Sequence, residues 1–228
     1  MKKASYFTKG ELILWLTSVT VILASFVLFD RSNYLALIAS LTGTTALILN
    51  AKGNPLGQVL IIIFGVLYGI ISYSSAYYGE MITYLGMSVP MAVFSLISWL
   101  KNPYNGNKAE VKIARLKRAD IAVMLILTVI VTVAFYFILK AFNTANLLPS
   151  TVSVSTSFIA VYLTYKRSPY FALGYVANDL VLIVLWIIAD NTEASYLSVI
   201  ICFVIFLAND IYTYVNWLKI RKRQSSEG

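Results

Sequence analysis

Two Asn-Asp pairs interrupt apolar runs near the end of the chain, in "GYVANDLVLIVLW" (174–186) and "FLANDIYTYVNW" (206–217). A carboxyl group at the centre of a membrane-spanning helix costs about 2.5–3.5 kcal/mol on insertion. Such residues therefore usually face a bundle interior or a water-filled cavity, and they mark solute or ion pathways. Asp179 and Asp210 are thus the first candidates for a polar site inside a membrane.

Helical spacing groups further polar and aromatic side chains around these two pairs. Aromatic rings can stack on a flat ring, and amide or carboxylate groups can bind sugar hydroxyls. The predicted solute-binding residues are Tyr175, Asn178, Asp179, Trp186, Tyr68, Gln58, Ser72, Glu80, Tyr84, Asn209, Tyr212 and Asn216. The alternative is that polar side chains join helices to one another, at about 0.6 kcal/mol per contact. A lone carboxylate is poorly suited to joining helices, so Asp179 favours the solute-binding interpretation.

Composition places the chain in a membrane. The 228 residues are 59% hydrophobic and only 12% charged, with a mean hydropathy of +0.78. The apolar runs have the length of about 17–25 residues that crosses a bilayer. One cysteine and no histidine exclude a disulfide framework, a Cys/His metal site and a His-based triad. Without a phosphate-binding glycine loop or a nucleophile motif, no enzyme and no cofactor are predicted.

Eight spans are predicted, at residues 12–29, 34–50, 57–75, 80–99, 120–142, 151–165, 168–189 and 195–217. With both termini in the cytoplasm, 16 of the 18 Lys and Arg residues lie on the inner side. This asymmetry follows the positive-inside rule and predicts a multi-pass plasma-membrane protein in that orientation. It also accounts for the net charge of +8, so nucleic acid is not an expected partner.

An internal repeat is indicated by matches 114 residues apart, which pair Thr42 with Thr156, Lys52 with Lys166 and Pro55 with Pro169. Later, "SWLK" (98–101) resembles "NWLK" (216–219) at an offset of 118. These matches predict three-helix units at 34–101 and 150–219, with a basic linker and linking helix at 102–149. Residues 1–33 add a first helix and 220–228 a basic tail. Parallel repeats place a solute site between the units; alternatively, the matches are generic membrane-edge signals.

Trp99 and Trp217 have a separate expected role. Each lies within two residues of a lysine at the predicted inner end of its span. Tryptophan is enriched at membrane–water interfaces, so both are expected to anchor helix ends there.

The motifs "AKG", "YYGEM" and N-x-I-Y-x-Y-x-N-W, within residues 34–220, resemble those of the PnuC-type vitamin transporters. The resemblance implies an all-α, 3+1+3 helix fold related to the SWEET sugar transporters, often a homotrimer. It also implies facilitated diffusion of nicotinamide riboside, which a cytoplasmic kinase traps. The family's W-x-x-W pair, four residues before an Asn or Asp, falls on Ala172 and Tyr175 when that acid is Asp179. The resemblance also implies that other members of the family carry thiamine, riboflavin or deoxynucleosides.

Three functional hypotheses follow. The first is a facilitator for a ring-plus-sugar vitamin precursor or nucleoside, with the lipid bilayer and further copies of the chain as partners. The second makes Asp179 or Asp210 a proton relay that couples uptake to a pH gradient. The third is a membrane scaffold that carries no solute, in which polar residues only join helices.

Overall fold

The computed structural model describes residues 6–74, 78–144, 146–188 and 195–227. Within these residues, eight helical segments are long and apolar enough to cross a membrane. The fourth of them is built from three consecutive helical elements. The helices are α1 Lys9–Phe29, α2 Tyr34–Ala51, α3 Leu56–Ser74, α4 Tyr78–Ile82, a π-helical segment Thr83–Ser88, α5 Val89–Leu100, α6 Arg118–Ala141, α7 Leu147–Tyr165, α8 Phe171–Ile188 and α9 Ser195–Ser226.

The prediction of eight spans is confirmed, and the helices begin and end close to the predicted boundaries. The predicted ends at residues 75 and 189 lie outside the described residues, as do Lys2 and Lys3. The largest difference is α9, which continues through the charged tail to Ser226 instead of ending near residue 217. Because a charged helix end gains little from burial, tertiary contacts have to hold this extension in place.

Those contacts come from the connector at 103–111, which forms an antiparallel hairpin of β1 Pro103–Tyr104 and β2 Asn107–Val111. Gln224 Nε2 in the α9 extension donates to the Val111 carbonyl at 3.0 Å, and Arg223 pairs with Glu110. The Val111 N–H donates to the Gly53 carbonyl at 2.9 Å. The hairpin therefore joins the end of α9 to the turn between α2 and α3.

Six elements close into a ring by their contacts. In order around the ring, α2 packs on α3, α3 on α5, α5 on α7, α7 on α8, α8 on α9, and α9 on α2. Outside the ring, α1 packs on α2 and α9, and α6 packs on α7. The centre of the ring is where polar side chains can lie away from lipid.

The α2–α3 and α7–α8 turns have the same hydrogen bonds at positions 114 residues apart. The N–H groups of Asn54 and Ser168 each donate at 3.0 Å to a carbonyl in the preceding helix, Leu49 and Leu163 respectively. The residues before them have matching positive φ angles, 67° at Gly53 and 55° at Arg167. A proline follows in each turn, as expected after a helix C-terminus.

The expectation that Trp99 and Trp217 are interfacial anchors is wrong. Both side chains are completely buried, and their rings lie 5.4 Å apart. The Trp99 Nε1 donates to the Thr164 carbonyl at 2.9 Å, and the Trp217 Nε1 donates to the Asn50 carbonyl at 2.8 Å. Each of these carbonyls also accepts a backbone N–H from the following turn, Gly53 for Asn50 and Arg167 for Thr164, so the indoles add a second hydrogen bond at the ends of α2 and α7.

The outer helices are held by two similar ion pairs. Lys52 Nζ lies 3.1 Å from Glu11 Oε1 of α1, and Lys166 Nζ lies 2.7 Å from Asp120 Oδ1 of α6. Each carboxylate also accepts a backbone N–H at the start of its own helix, as capping residues do. The hydrogen bond with Asp120 raises the pKa of Lys166, which keeps that lysine charged.

The π-helical segment precedes Pro90, near the start of α5. A proline inside a helix has no N–H to donate, and its ring clashes with the carbonyl four residues earlier. The wider π turn, with its i→i+5 hydrogen bonds, lets the helix continue past this position. Its residues Thr83, Tyr84 and Ser88 line a cavity in the ring.

Candidate solute-binding site

A cavity of about 100 Å³, called here the inner cavity, lies inside the ring of helices. Its wall is formed by α2, α3, α4, the π-helical segment, α7, α8 and α9. Its described lining residues include Gly43, Asn50, Ile61, Phe64, Gly65, Glu80, Thr83, Tyr84, Ser88, Ser153, Ser157, Phe171, Tyr175, Asn178, Asp179, Phe203, Phe206 and Asp210.

Asp179 of α8 and Asp210 of α9 meet at the cavity wall. Their side chains are 4% and 2% exposed and are hydrogen-bonded to each other. An ionised carboxylate can only accept, so a hydrogen bond between two carboxyl groups requires at least one of them to be protonated. The other oxygens, Asp179 Oδ2 and Asp210 Oδ1, are buried without a partner. The pair thus contributes two buried acceptor oxygens that have no partner in the described residues.

Asn178, the neighbour of Asp179, is oriented by hydroxyl groups of α7. Its Oδ1 accepts from Ser153 Oγ at 3.2 Å, Thr156 Oγ1 at 2.9 Å and Ser157 Oγ at 2.9 Å. Since these donors occupy the carbonyl oxygen, the group that Asn178 can offer a solute is its NH₂ donor. The site therefore combines a fixed amide with carboxyl acceptors.

Aromatic rings surround these polar groups. Tyr175 lies edge-on to Phe171, with ring centroids 6.1 Å apart, and its hydroxyl is hydrogen-bonded to the Thr164 side chain. The ring centroid of Tyr84, which lines the inner cavity, lies 4.5 Å from that of Tyr68. Such faces can stack on a flat ring, and they attract a cationic one.

A larger cavity of about 270 Å³, the outer cavity, lies toward the end of the bundle opposite the hairpin. The two cavities share Phe64, Glu80, Phe203 and Phe206 in their walls. Phe64 and Phe206 are in edge contact at 5.9 Å, and a side chain at Gly43 would lie 2.8 Å from Phe206. Ligand pockets usually measure about 300–1,000 Å³, so a nucleoside-sized solute requires this aromatic constriction to open.

The structure brings eight of the twelve predicted residues to these cavities. Tyr175, Asn178, Asp179 and Tyr84 line the inner cavity; Trp186, Tyr68 and Ser72 line the outer one; and Glu80 lines both.

The other four each donate a hydrogen bond to another helix, while the Asn209 Oδ1 is buried without a partner in the described residues. Gln58 donates to Asn50 Oδ1 at 2.9 Å, Asn209 to Ser18 Oγ at 3.0 Å, Tyr212 to Glu11 Oε1 at 2.9 Å and Asn216 to the Ala51 carbonyl at 2.8 Å. Their role in solute binding stays a prediction, and the site described here does not include them.

Several lining residues were missed, most of them because aromatic and small hydroxyl side chains look like ordinary core or helix contacts in a sequence. They include Asn50, Phe64, Thr83, Ser153, Ser157, Phe171, Phe203 and Phe206. A signal was present: Ile61, Phe64 and Gly65 lie 114 residues before Tyr175, Asn178 and Asp179. Transferring the predicted face of α8 through the offset would have found the face of α3.

The charge of the lining has one sign. Asp179, Asp210 and Glu80 line the inner cavity, and Asp30 and Glu80 line the outer one, whereas no Lys or Arg is among the described lining residues of either. Because like charges repel strongly where water is scarce, this route favours cations and neutral molecules over anions.

Residues 33–219 match the model of a family described as nicotinamide mononucleotide transporter. The chain belongs to this family. It is 29% identical over 219 residues to the nicotinamide riboside transporter PnuC of Neisseria mucosa, covering 93% of this chain and 82% of that protein. The corresponding Haemophilus influenzae protein is 26% identical over 197 residues, covering 84% and 82%.

A solved structure titled as that of the vitamin B3 transporter PnuC is also similar. Its TM-score is 0.82 and its identity 27%, with 96% of this chain and 94% of that chain covered. The family is one of transporters, not of enzymes. Together with the eight apolar helices, membership identifies a multi-pass membrane transporter.

Proposed function

We propose that the protein carries nicotinamide riboside, a flat ring joined to a sugar, across the membrane. The observation that carries the proposal is the inner cavity, where carboxyl oxygens, an oriented amide and aromatic rings converge within a ring of apolar helices. The curated relatives that match over most of the chain bear the name of this solute.

The lining also favours a riboside over a mononucleotide. Nicotinamide riboside is a cation, because its ring nitrogen is bonded to the sugar. The mononucleotide adds a phosphate group, which needs cationic or N–H-rich partners such as Arg or Lys. The described lining offers carboxyl groups instead, so the phosphate ester fits poorly.

The architecture proposed for this function is a pair of parallel three-helix units, 34–101 and 150–219, joined by 102–149. The matching turns, the reciprocal indole hydrogen bonds and the similar ion pairs support it. Residues 1–33 and 220–228 flank the units. The contacts α2 with α9 and α5 with α7 are equivalent under this exchange of units, which supports a site between them.

The proposed orientation has both termini in the cytoplasm of a plasma-membrane protein, supported by the distribution of Lys and Arg. A homotrimer is proposed from the family resemblance, and α6 leaves its apolar surface open to lipid or other copies. Transport is proposed as facilitated diffusion, with retention by a cytoplasmic kinase that phosphorylates the nucleoside.

Uptake into vesicles tests the proposed function. Vesicles containing the purified protein should take up labelled nicotinamide riboside faster than protein-free vesicles. A thermal-shift series with nicotinamide riboside, thiamine, riboflavin and deoxynucleosides identifies the preferred solute, because a ligand of the folded state raises its stability. The other three solute classes are included because Ala172 stands where the resemblance aligns a tryptophan.

The scaffold alternative is separated by two variants, Asp179→Asn and Tyr175→Ala. In a transporter these variants should fold and assemble normally and change solute affinity. If both variants instead fail to assemble, and the unaltered protein shows no measurable solute binding, the result supports the scaffold alternative.

A proton-coupled transporter is the remaining alternative, and the Asp179–Asp210 pair is the observation that favours it. With the membrane potential held at zero, a facilitator should bring labelled solute to equal concentration on both sides under any imposed pH gradient. Accumulation above that level would contradict facilitated diffusion and support coupling.

A further inference from the structure

The first helix forms part of the wall of the outer cavity, although it lies outside the ring of helices. It packs on α2 and α9 and contributes Ile22, Ser25 and Phe26 to the lining. Residues three and four apart share one face of a helix, so this face of α1 is turned toward the cavity. Asp30 lines the same cavity from directly beyond the end of α1. One side of the outer cavity is therefore closed by a helix that is absent from the described lining of the inner cavity.

Ser25 has a hydroxyl group that the described fold does not use. Its side chain is 5% exposed, and its Oγ has no hydrogen-bond partner among the described residues. A hydroxyl in a helix can donate to the carbonyl four residues earlier, as Thr42 does to Ile38 at 2.7 Å. An unpaired buried polar group costs free energy, which a partner inside the cavity recovers. The hydroxyl thus marks a polar contact point for a molecule in the outer cavity.

Other residues of the lining suit a flat ring joined to a sugar. Ser40 of α2 and Ser72 of α3 are further hydroxyl-bearing residues that can bind sugar hydroxyls. The indole of Trp186 in α8 offers a face that attracts a cationic ring. Three helices of the ring thereby complete a site that α1 closes.

The charges of the outer cavity favour a cation. Asp30 and Glu80 contribute carboxyl groups, and no Lys or Arg is among the described lining residues. Arg31, the residue after Asp30, is exposed and donates to the Val27 carbonyl. A cation in the cavity is therefore attracted by nearby carboxyl groups, whereas an anion is repelled.

The outer cavity is also the larger space while the constriction between the cavities is closed. It measures about 270 Å³, against about 100 Å³ for the inner cavity. Ligand pockets usually measure about 300–1,000 Å³, a range that only the outer of these two cavities approaches. Phe64 and Phe206 are in contact between them. A nucleoside-sized solute is therefore accommodated more readily in the outer cavity than in the inner one.

We propose that the outer cavity is a second binding site for nicotinamide riboside, which holds the solute before the aromatic constriction opens to the inner cavity. The Ser25 Oγ makes a hydrogen bond with a sugar hydroxyl, and Asp30 attracts the cationic ring. The inference rests on the proposed function for the identity of the solute. It requires no proton transfer and no driving force, so it is compatible with facilitated diffusion in either direction.

Cys202 provides a direct measurement of occupancy. It is the only cysteine of the chain, and it lines the outer cavity but is not among the described lining residues of the inner one. The cationic reagent 2-aminoethyl methanethiosulfonate converts a thiol to a mixed disulfide and releases methanesulfinate. The mass of the full-length protein then gives the rate of modification. We expect nicotinamide riboside to slow this reaction, with a half-protecting concentration that reports its affinity for the outer cavity.

Variants of the cavity wall identify the groups that bind. Ser25→Ala should raise the half-protecting concentration about 2- to 10-fold, the range for one neutral hydrogen bond. It should not lower the melting temperature, because the hydroxyl has no partner in the described fold to lose, whereas a purely structural role would lower it. Asp30→Asn should raise the half-protecting concentration about 2- to 5-fold, as for a partly exposed charge. Glu110→Gln removes a carboxylate from the hairpin instead and should leave it unchanged.

Asp179→Asn separates the two cavities, because it alters the inner one alone. Cys202 should be protected at the same concentration of nicotinamide riboside in this variant as in the unaltered protein. If protection instead needs about 10- to 100-fold more solute, and Ser25→Ala has no effect, occupancy of the inner cavity is what protects Cys202 and the second site is refuted.

The second site also fails if Cys202 does not react, or reacts equally fast with and without nicotinamide riboside, while vesicles take the solute up. The proposed function stands in that case. If vesicles take up no nicotinamide riboside, and the solute changes neither the melting temperature nor the reactivity of Cys202, the proposed function and the second site fail together.

Discussion

The middle helices of the two halves, α3 in the first (α2–α5) and α8 in the second (α7–α9), turn corresponding positions toward the inner cavity and differ in chemistry. The corresponding pairs, each 114 residues apart, are Ile61 and Tyr175, Phe64 and Asn178, and Gly65 and Asp179. In the first half these positions are apolar; in the second they are a phenol, an amide and a carboxyl group. The α2–α3 and α7–α8 turns, by contrast, have the same hydrogen bonds.

This difference indicates that features shared by the halves hold the helices together, whereas features found in only one half are available for solute recognition. The turns and indole contacts are needed in both halves, because each closes the ring of helices against the other half. The cavity lies between the halves, so a polar group on one side serves the solute without a counterpart on the other. Fewer buried polar groups also cost less on insertion into the membrane.

The largest effect is expected at the shared scaffold. Trp99→Ala and Trp217→Ala should each lower the free energy of unfolding by about 3–5 kcal/mol, because each removes a fully buried ring and a hydrogen bond to the other half. Denaturant unfolding in detergent measures the change. Similar losses of unfolding free energy in the two variants would support the equivalence of the halves, and a loss in only one variant would contradict it.

The next effect is expected at a position where the halves differ. Asp179→Asn should weaken binding of nicotinamide riboside about 10- to 100-fold, the range for hydrogen bonds to charged groups, and leave folding intact. The corresponding change, Gly65→Ala, should lower stability instead, because the new methyl group would lie 2.7 Å from Val89 Cγ2. Binding titrations and melting curves of both variants measure the two outcomes. Equal losses of affinity in both would contradict the division of roles.

A smaller effect is expected in the first helices of the halves, where Gly43 corresponds to Ser157. Gly43→Ala should cost about 1–3 kcal/mol by crowding Phe206 and Phe64 at the constriction. Ser157→Ala should cost about 1 kcal/mol or less, because Ser153 and Thr156 still donate to Asn178. Thermal unfolding compares them, and the reverse order would show that Asn178 depends on Ser157.

The smallest effect is expected at the ion pairs of the outer helices. Lys52→Ala should lower stability by about 1 kcal/mol, near the upper end for partly exposed pairs, because Glu11 is buried and keeps only its other hydrogen bonds. Lys166→Ala should lower it less, since Asp120 is more exposed. Melting temperatures at low and high salt measure both, and a larger loss for Lys166→Ala would be the contrary result.

The eight apolar helices could be predicted from the sequence, because the length of an apolar span is a strong signal in a membrane protein. The orientation from charge asymmetry and the repeat from the 114-residue offset stay predictions. The residues predicted on α8 do line the cavities, as expected because a carboxyl group such as Asp179 is costly on a lipid-facing surface, and their role in solute binding stays a prediction. Asn209 and Asn216 were harder to assign: a helical stripe does not tell whether it faces a cavity or another helix. Trp99 and Trp217 differ from expectation because their partners are carbonyls of distant helices, which no local pattern identifies.

Among the described residues, neither cavity is lined by Lys or Arg, and this has a consequence for retention of the solute. A kinase that esterifies the sugar converts a cation into a molecule with net negative charge, which the same carboxyl groups repel. The product would then be excluded from the path by which its precursor arrived. Under the proposed function, the protein needs no separate mechanism to block return of the product, because phosphorylation reverses the sign of the molecule's charge.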